Sequence, residues 1–330
     1  MKIRIALASL SLFILLTTLG VSGCSSAQND DPASSTDSSS ARKLRVGCTT
    51  NIVKDLVRQI GGDHIVVTAI MDGPGIDPHL YTPSPQDINA LTESDVVVYS
   101  GLHLEAQLEE ALESLKHRSI PVIKVTEILE QSHSDRLLTA DGTVDPHVWF
   151  DTELWGICGD WLAKELGRID LAHADDYSAA ASTFRQLMEE TQTAGEETLS
   201  TIPAARRILV TAHDAFQYFA RALQFQVEAV QGLSTESEPG LKQINELATL
   251  LVDKKINAIF TEQSVSDRNI RALIAECASR EHDLTVGGTL YSDTAGPAGT
   301  PEETLAGAIL HNVRQIAAGL AGPTSGEDEP

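Results

Sequence analysis

HADDYSAAASTFRQLMEETQTAGEETL, residues 173–199, is the stretch whose reading decides the fold. It contains no proline, and glycine enters only at Gly195. The rest is rich in Ala, Glu and Gln, residues that lose little freedom on entering a helix. The stretch therefore reads as one long helix, and its flanks decide what it connects. On its N-terminal side, residues 44–48, 65–71, 96–99 and 121–125 are short apolar runs of strand length. Between them, residues 52–60, 85–92 and 105–117 repeat apolar side chains at helical spacing. Ser84-Pro85 opens the second of these helices with an N-cap and a proline at the first helical position. On the C-terminal side the rhythm resumes. Strands are expected at 208–211, 227–230, 256–261 and 284–286, and helices at 215–223, 241–251, 269–278 and 302–318. Strand and helix alternating in this way mean parallel sheets covered on both faces. The fold class is α/β, with two parallel-sheet lobes joined by one long rigid helix.

The ends bound the folded part. Lys2 and Arg4 form a basic start, residues 5–19 are apolar, and Val21-Ser22-Gly23 leads into Cys24. The apolar run is short for a membrane span and has signal-peptide flanks. Val-Ser-Gly-Cys resembles the bacterial lipobox, which makes Cys24 the lipid-attachment residue and residues 1–23 the removed signal peptide. Residues 24–42 lack apolar periodicity and read as a disordered tether; 322–330 reads as a disordered tail. The expected division is an N-terminal lobe at 43–172, the linking helix at 173–200 and a C-terminal lobe at 201–321. The formal charge is −23, and removing Lys2 and Arg4 makes it more negative still. Such a surface repels nucleic acid and gathers cations. Cys48, Cys158 and Cys277 are widely spaced and odd in number, so they read as buried thiols rather than a disulfide framework.

The chemistry is concentrated in a repeated tripeptide, Asp77-Pro78-His79 and Asp145-Pro146-His147. Proline fixes its own φ and restricts the residue before it, so each imidazole leaves the backbone in a nearly set direction. His213 and Asp293 complete a candidate set of three imidazoles and one carboxylate, a closed shell for a divalent transition metal. His79, His213 and Asp293 each follow the carboxyl end of an expected strand, where open α/β sheets bind ligands. Two of the four residues come from each lobe, which places the metal in the interlobe cleft. Glu262 is the rival carboxylate and is read as an outer residue that orients an imidazole. The other histidines, 64, 103, 117, 133, 173, 282 and 311, read as solvated. Enzymatic motifs are missing: there is no G-x-S-x-G, no P-loop and no H-E-x-x-H. Gly73-Pro74-Gly75 lacks the third glycine of a dinucleotide fingerprint.

Beyond these residues, the chain resembles the metal-specific solute-binding lipoproteins of bacterial ABC importers for zinc, manganese or iron. The resemblance rests on Gly101-Leu102-His103-Leu104-Glu105, Asp145-Pro146-His147-Val148-Trp149, the run Gln231-Gly232-Leu233-Ser234-Thr235-Glu236-Ser237-Glu238-Pro239-Gly240, Thr261-Glu262-Gln263-Ser264-Val265 and Leu290-Tyr291-Ser292-Asp293. It implies two α/β lobes on a single helix, with metal ligands at His79, His147, His213 and Asp293. It also implies a non-enzymatic, extracytoplasmic receptor, lipid-anchored through Cys24, that hands its metal to an ABC permease and its ATPase. A monomer is expected. Manganese-restricted members tend to carry glutamate where this chain has His213. Zinc-dedicated members usually have a long His-rich loop, whereas residues 131–144 here hold only His133. The pattern matches the mixed zinc and manganese subgroup, with Fe2+ as a third candidate. The alternative is a surface adhesin or structural lipoprotein whose metal braces the lobes.

Overall fold

The computed structural model describes residues 42–140 and 142–321. The signal peptide, Cys24, the tether up to residue 41 and the tail at 322–330 lie outside the described residues. The first lobe runs β1 (Leu44–Thr50), α1 (Asn51–Gly61), β2 (Ile65–Met71), α2 (Pro85–Thr92), β3 (Val96–Tyr99), α3 (Glu109–His117), β4 (Val122–Lys124), α4 (Glu127–Ser132), the small antiparallel pair β5 (Thr139–Ala140) and β6 (Thr143–Val144), and α5 (Thr152–Ile169). Its four long strands form a parallel sheet in the order β2-β1-β3-β4. The expected α2 is reproduced because its start is over-determined. Ser84 caps the Asp87 amide, Asp87 reaches back to the Ser84 amide, and Pro85 sits in the first turn.

The third expected helix starts later than its periodicity predicts. Glu105, placed inside it on sequence, is buried and turned back toward β3. Its carboxylate accepts from the Ser100 and Gly101 amides at 2.9 and 3.1 Å and from the Thr49 hydroxyl at 2.7 Å. A side chain committed to three donors behind it holds that residue in a turn, so α3 begins at Glu109.

The connector α6 (Ala174–Leu199) has 26 residues and buries Tyr177, Ala181, Phe184, Met188, Thr191, Gly195 and Leu199. These positions recur every three or four residues and form one stripe. The stripe lies against α1 and α5 of the first lobe and, after it, α10 (Leu305–Ala321) of the second. The helix is therefore packed along both lobes rather than spanning open space between them. One apolar cluster includes Val46, Leu56, Phe184, Met188, Phe216, Phe260 and Val313, so the inner faces of both lobes and the helix share a core. Each lobe also has its own outer cluster, around Met71, Leu91 and Leu112 in the first and Ile244, Leu251 and Leu273 in the second.

The second lobe comprises β7 (Ile208–His213), α7 (Gln217–Leu223), β8 (Gln226–Gln231), α8 (Leu241–Asp253), β9 (Ala258–Glu262), α9 (Arg268–Ser279), β10 (Thr285–Leu290) and α10. Its strands form two parallel pairs, β7 with β8 and β9 with β10. Two boundaries differ from expectation. His213 is the last residue of β7, not a loop residue after it. β10 continues through Gly287-Gly288 to Leu290, with a register shift between Val286 and Gly288. The paired glycines read as a break, yet their role is close approach. A Cβ on Gly287 would lie 3.2 Å from the Gly319 Cα and 3.0 Å from the Phe260 ring, so bare glycine lets α10 settle on the strand. Cys48, Cys158 and Cys277 are free and buried, as expected.

Candidate metal centre

His79 comes from the segment between β2 and α2, His147 from the turn before α5, His213 from the end of β7, and Asp293 from the turn after β10. The fold brings all four to one point between the lobes, with ligand atoms within 4.8 Å of one another. Three are fully buried and His79 is 4 % exposed.

The spacings are informative. His147 Nε2 lies 3.4 Å from His79 Nε2 and 3.4 Å from His213 Nε2. Asp293 Oδ1 lies 3.3 Å from His147 Nε2 and 3.4 Å from His213 Nε2. A tetrahedron with metal–ligand bonds of about 2.0–2.1 Å has edges of about 3.3–3.4 Å. Four edges of the cluster match that figure. Asp293 Oδ1 is also a buried oxygen to which no described residue donates a hydrogen bond. An orphaned carboxylate oxygen facing imidazole nitrogens is the donor arrangement a divalent cation completes.

Outer contacts set the ring orientations. His147 Nδ1 is 2.7 Å from Asp145 Oδ1, and His213 Nδ1 is 2.6 Å from Glu262 Oε2. An ionised carboxylate only accepts, so each Nδ1 carries the hydrogen and each Nε2 turns its lone pair inward when the ring is neutral. Glu262 also accepts from the His213 backbone amide at 2.9 Å, a donor that would otherwise belong to a strand ladder. Asp293 is held at its other oxygen by the Ser264 hydroxyl at 3.1 Å. Trp149 stands edge-on to His147 with ring centroids 5.3 Å apart and donates its Nε1–H to the Ser292 carbonyl of the second lobe.

The electrostatics divide the histidines. Burial alone would lower His147, but the Asp145 and Asp293 carboxylates lift it to about 9. Burial opposes protonation of His213 too, and Asp293 with Glu262 raises it well above the usual imidazole range. For His79 burial wins over the pull of Asp293, and the ring falls to about 3. Asp293 is held far below the ordinary carboxylate range, against the cost of burial, by His213 and His147.

The four residues expected from sequence thus meet, and Glu262 stands beside the His213 ring. Sequence reasoning assigned Asp145 only a turn-forming part and passed over Ser264. The i, i+2 spacing of Asp145 and His147 was the available signal for the first; nothing local marked the second. Among the histidines expected to be solvated, His64 and His173 stack at 3.9 Å, each beside an aspartate, Asp176 and Asp170. His282 and His311 bond to main-chain carbonyls of Ile256 and Thr289.

Residues 46–319 match the family described as ZnuA, zinc-uptake complex component A, periplasmic. The chain is 37 % identical over 309 residues to the manganese-binding lipoprotein MntA of Bacillus subtilis, covering 93 % of this chain and 97 % of that one. It is 36 % identical over 287 residues to the zinc-binding protein TroA of Treponema pallidum, covering 87 % of this chain and 92 % of the relative. The solved structure of TroA superposes with a TM-score of 0.81 at 35 % identity, covering 84 % of this chain and 99 % of TroA. The structure of Fe(III)-bound YtgA from Chlamydia trachomatis gives 0.75 at 25 % identity, over 84 % and 98 % of the two chains. The chain belongs to the ZnuA family of metal-binding solute-binding proteins.

Proposed function

We propose that this protein captures a divalent transition metal at His79, His147, His213 and Asp293 and delivers it to an ABC permease and its ATPase. The metal is Zn2+ or Mn2+, with Fe2+ a further cargo. Delivery takes place outside the cytoplasm, from a monomer held at the membrane by lipid on Cys24. Among the described residues no helix is long and apolar enough to cross a membrane. The observation that carries the reading is the buried cluster of four ligand atoms, four of whose edges fit a tetrahedral shell. Four protein ligands leave no position for a reacting water, which argues for a receptor rather than a metallohydrolase. Asp145 and Glu262 add negative charge beside the cation and keep two ligands in register.

A donor set of three nitrogens and one oxygen favours Zn2+ over Mn2+, which prefers more oxygen ligands. Competitive titration of the purified chain should give one metal per chain, with Zn2+ at least about tenfold tighter than Mn2+. A stoichiometry of zero, or Zn2+ binding unaltered in Asp293→Ala, would overturn the assignment.

A further inference from the structure

The lobes are fastened unevenly around the metal centre. On one side α1 is bound firmly to the segment leading into α10. Asn51 exchanges two hydrogen bonds with the Ala295 backbone at 3.1 and 3.0 Å. Asp55 accepts from the Leu305 amide at 2.9 Å, capping a helix of the other lobe, and Arg58 pairs with Glu303 at 2.8 Å. Around His147 the fastening is similar. Phe150 stacks on Phe216 with centroids 4.8 Å apart, the Tyr218 hydroxyl donates to the Asp145 carbonyl at 3.2 Å, and Arg221 pairs with Asp151 at 2.7 Å.

The His79 side differs. Residues 72–84 form neither helix nor strand. Among the described residues, one hydrogen bond ties this segment to the second lobe, from the Thr235 hydroxyl to Asp77 Oδ2 at 2.6 Å. The other oxygen of Asp77 accepts from the His79 amide at 2.9 Å. One carboxylate therefore joins a residue of the second lobe to the backbone of a metal ligand. Thr235 is buried, while Leu80, next to His79, is half exposed. Gln107 reaches Glu236 nearby at 3.0 Å, an exposed contact of the kind worth little.

We propose that Thr235 is the positioning residue that holds His79 on the metal, and that the side of the cleft closed by its bond to Asp77 is where metal enters and leaves. This inference rests on the four-ligand reading. Opening elsewhere breaks a shared aromatic core and several buried bonds, whereas opening here breaks the Thr235–Asp77 bond and the exposed Gln107–Glu236 contact and swings a segment without regular structure. A hydrogen bond to a carboxylate is strong enough to slow escape and weak enough to be undone by a partner.

The test is stopped-flow release of Zn2+ from the loaded full chain into excess chelator. Thr235→Val keeps the shape and removes the hydroxyl, and should release Zn2+ about tenfold faster. Thr235→Ser should stay within about twofold of the parent, because it restores the donor. Asp77→Asn should also speed release, and combining it with Thr235→Val should add little, since both act on one bond. Parental release from Thr235→Val, failure of serine to rescue it, or additive effects in the double variant would overturn the proposal. Asp293→Ala, run alongside, separates the failures. If it loses Zn2+ while Thr235→Val behaves as the parent, only the clasp is wrong. If it retains Zn2+ like the parent, the ligand set is wrong and the clasp falls with it.

Discussion

The two Asp-Pro-His tripeptides have one sequence and one local turn but different work. In both, the aspartate accepts from the histidine amide two residues on, at 2.9 Å. At Asp145 the same oxygen also takes the hydrogen of the His147 ring, so the carboxylate serves its own histidine twice. At Asp77 the second oxygen is given to Thr235 of the other lobe. His147 is buried beside Trp149 and raised to about 9 by its carboxylate neighbours, while His79, also buried, is lowered to about 3 by that burial. The lesson is that a motif sets the direction of a side chain, and tertiary neighbours decide what else its aspartate is bonded to.

The comparison is most sharply tested at equilibrium. Asp145→Asn should weaken Zn2+ binding by about 10- to 100-fold, the usual cost of losing an outer carboxylate. Asp77→Asn keeps an oxygen for the His79 amide and should cost less than about tenfold. Equal losses, read by competition with a chromophoric chelator, would mean the two tripeptides are equivalent after all.

Proton linkage comes next in size. With His147 lifted to about 9, the metal-free site holds protons at neutral pH that the metal must displace. The sign follows from the unfolded reference of about 6.5. A raised imidazole stabilises the metal-free fold fully below about 6.5 and loses that contribution as pH climbs through about 9. The rise in melting temperature on adding Zn2+ should therefore grow from pH 6.5 to 9, and calorimetry in buffers of differing ionisation enthalpy should detect proton release. A flat increment with no released protons would remove His147 from the set of proton-bearing ligands.

The smallest effect belongs to His133, outside the cluster. His133→Ala should change Zn2+ affinity by less than about twofold, since a surface change away from partners rarely matters. A loss comparable to that of Asp145→Asn would relocate the site.

Much of this architecture was legible in the chain. Apolar periodicity marked β2, β3 and α2 to the residue, because strand spacing and a capping box leave little freedom. The α6 stripe was legible as a helix but not as a packed one, since the pattern says which face is apolar and not what covers it. The β5–β6 hairpin and α4 were not anticipated, being too short to establish a period. The extent of β7 and β10 was misjudged for a different reason. His213 looked like a loop residue, but Glu262 at the end of β9 accepts its backbone amide. Gly287-Gly288 looked like a break, but a neighbouring helix fills the space beside it.

By itself the sequence determined the alternation of strands and helices and the long connector, and it singled out the four side chains that meet between the lobes. These follow from periodicity, proline geometry and ligand chemistry, which act over a few residues. Tertiary structure alone decided that the four side chains meet with four of their spacings at 3.3–3.4 Å, that Glu262 turns the His213 ring inward, and that Asp77 shares itself with Thr235. Those contacts join residues far apart in the chain and are set by how sheets and helices pack, at separations where local sequence carries no information.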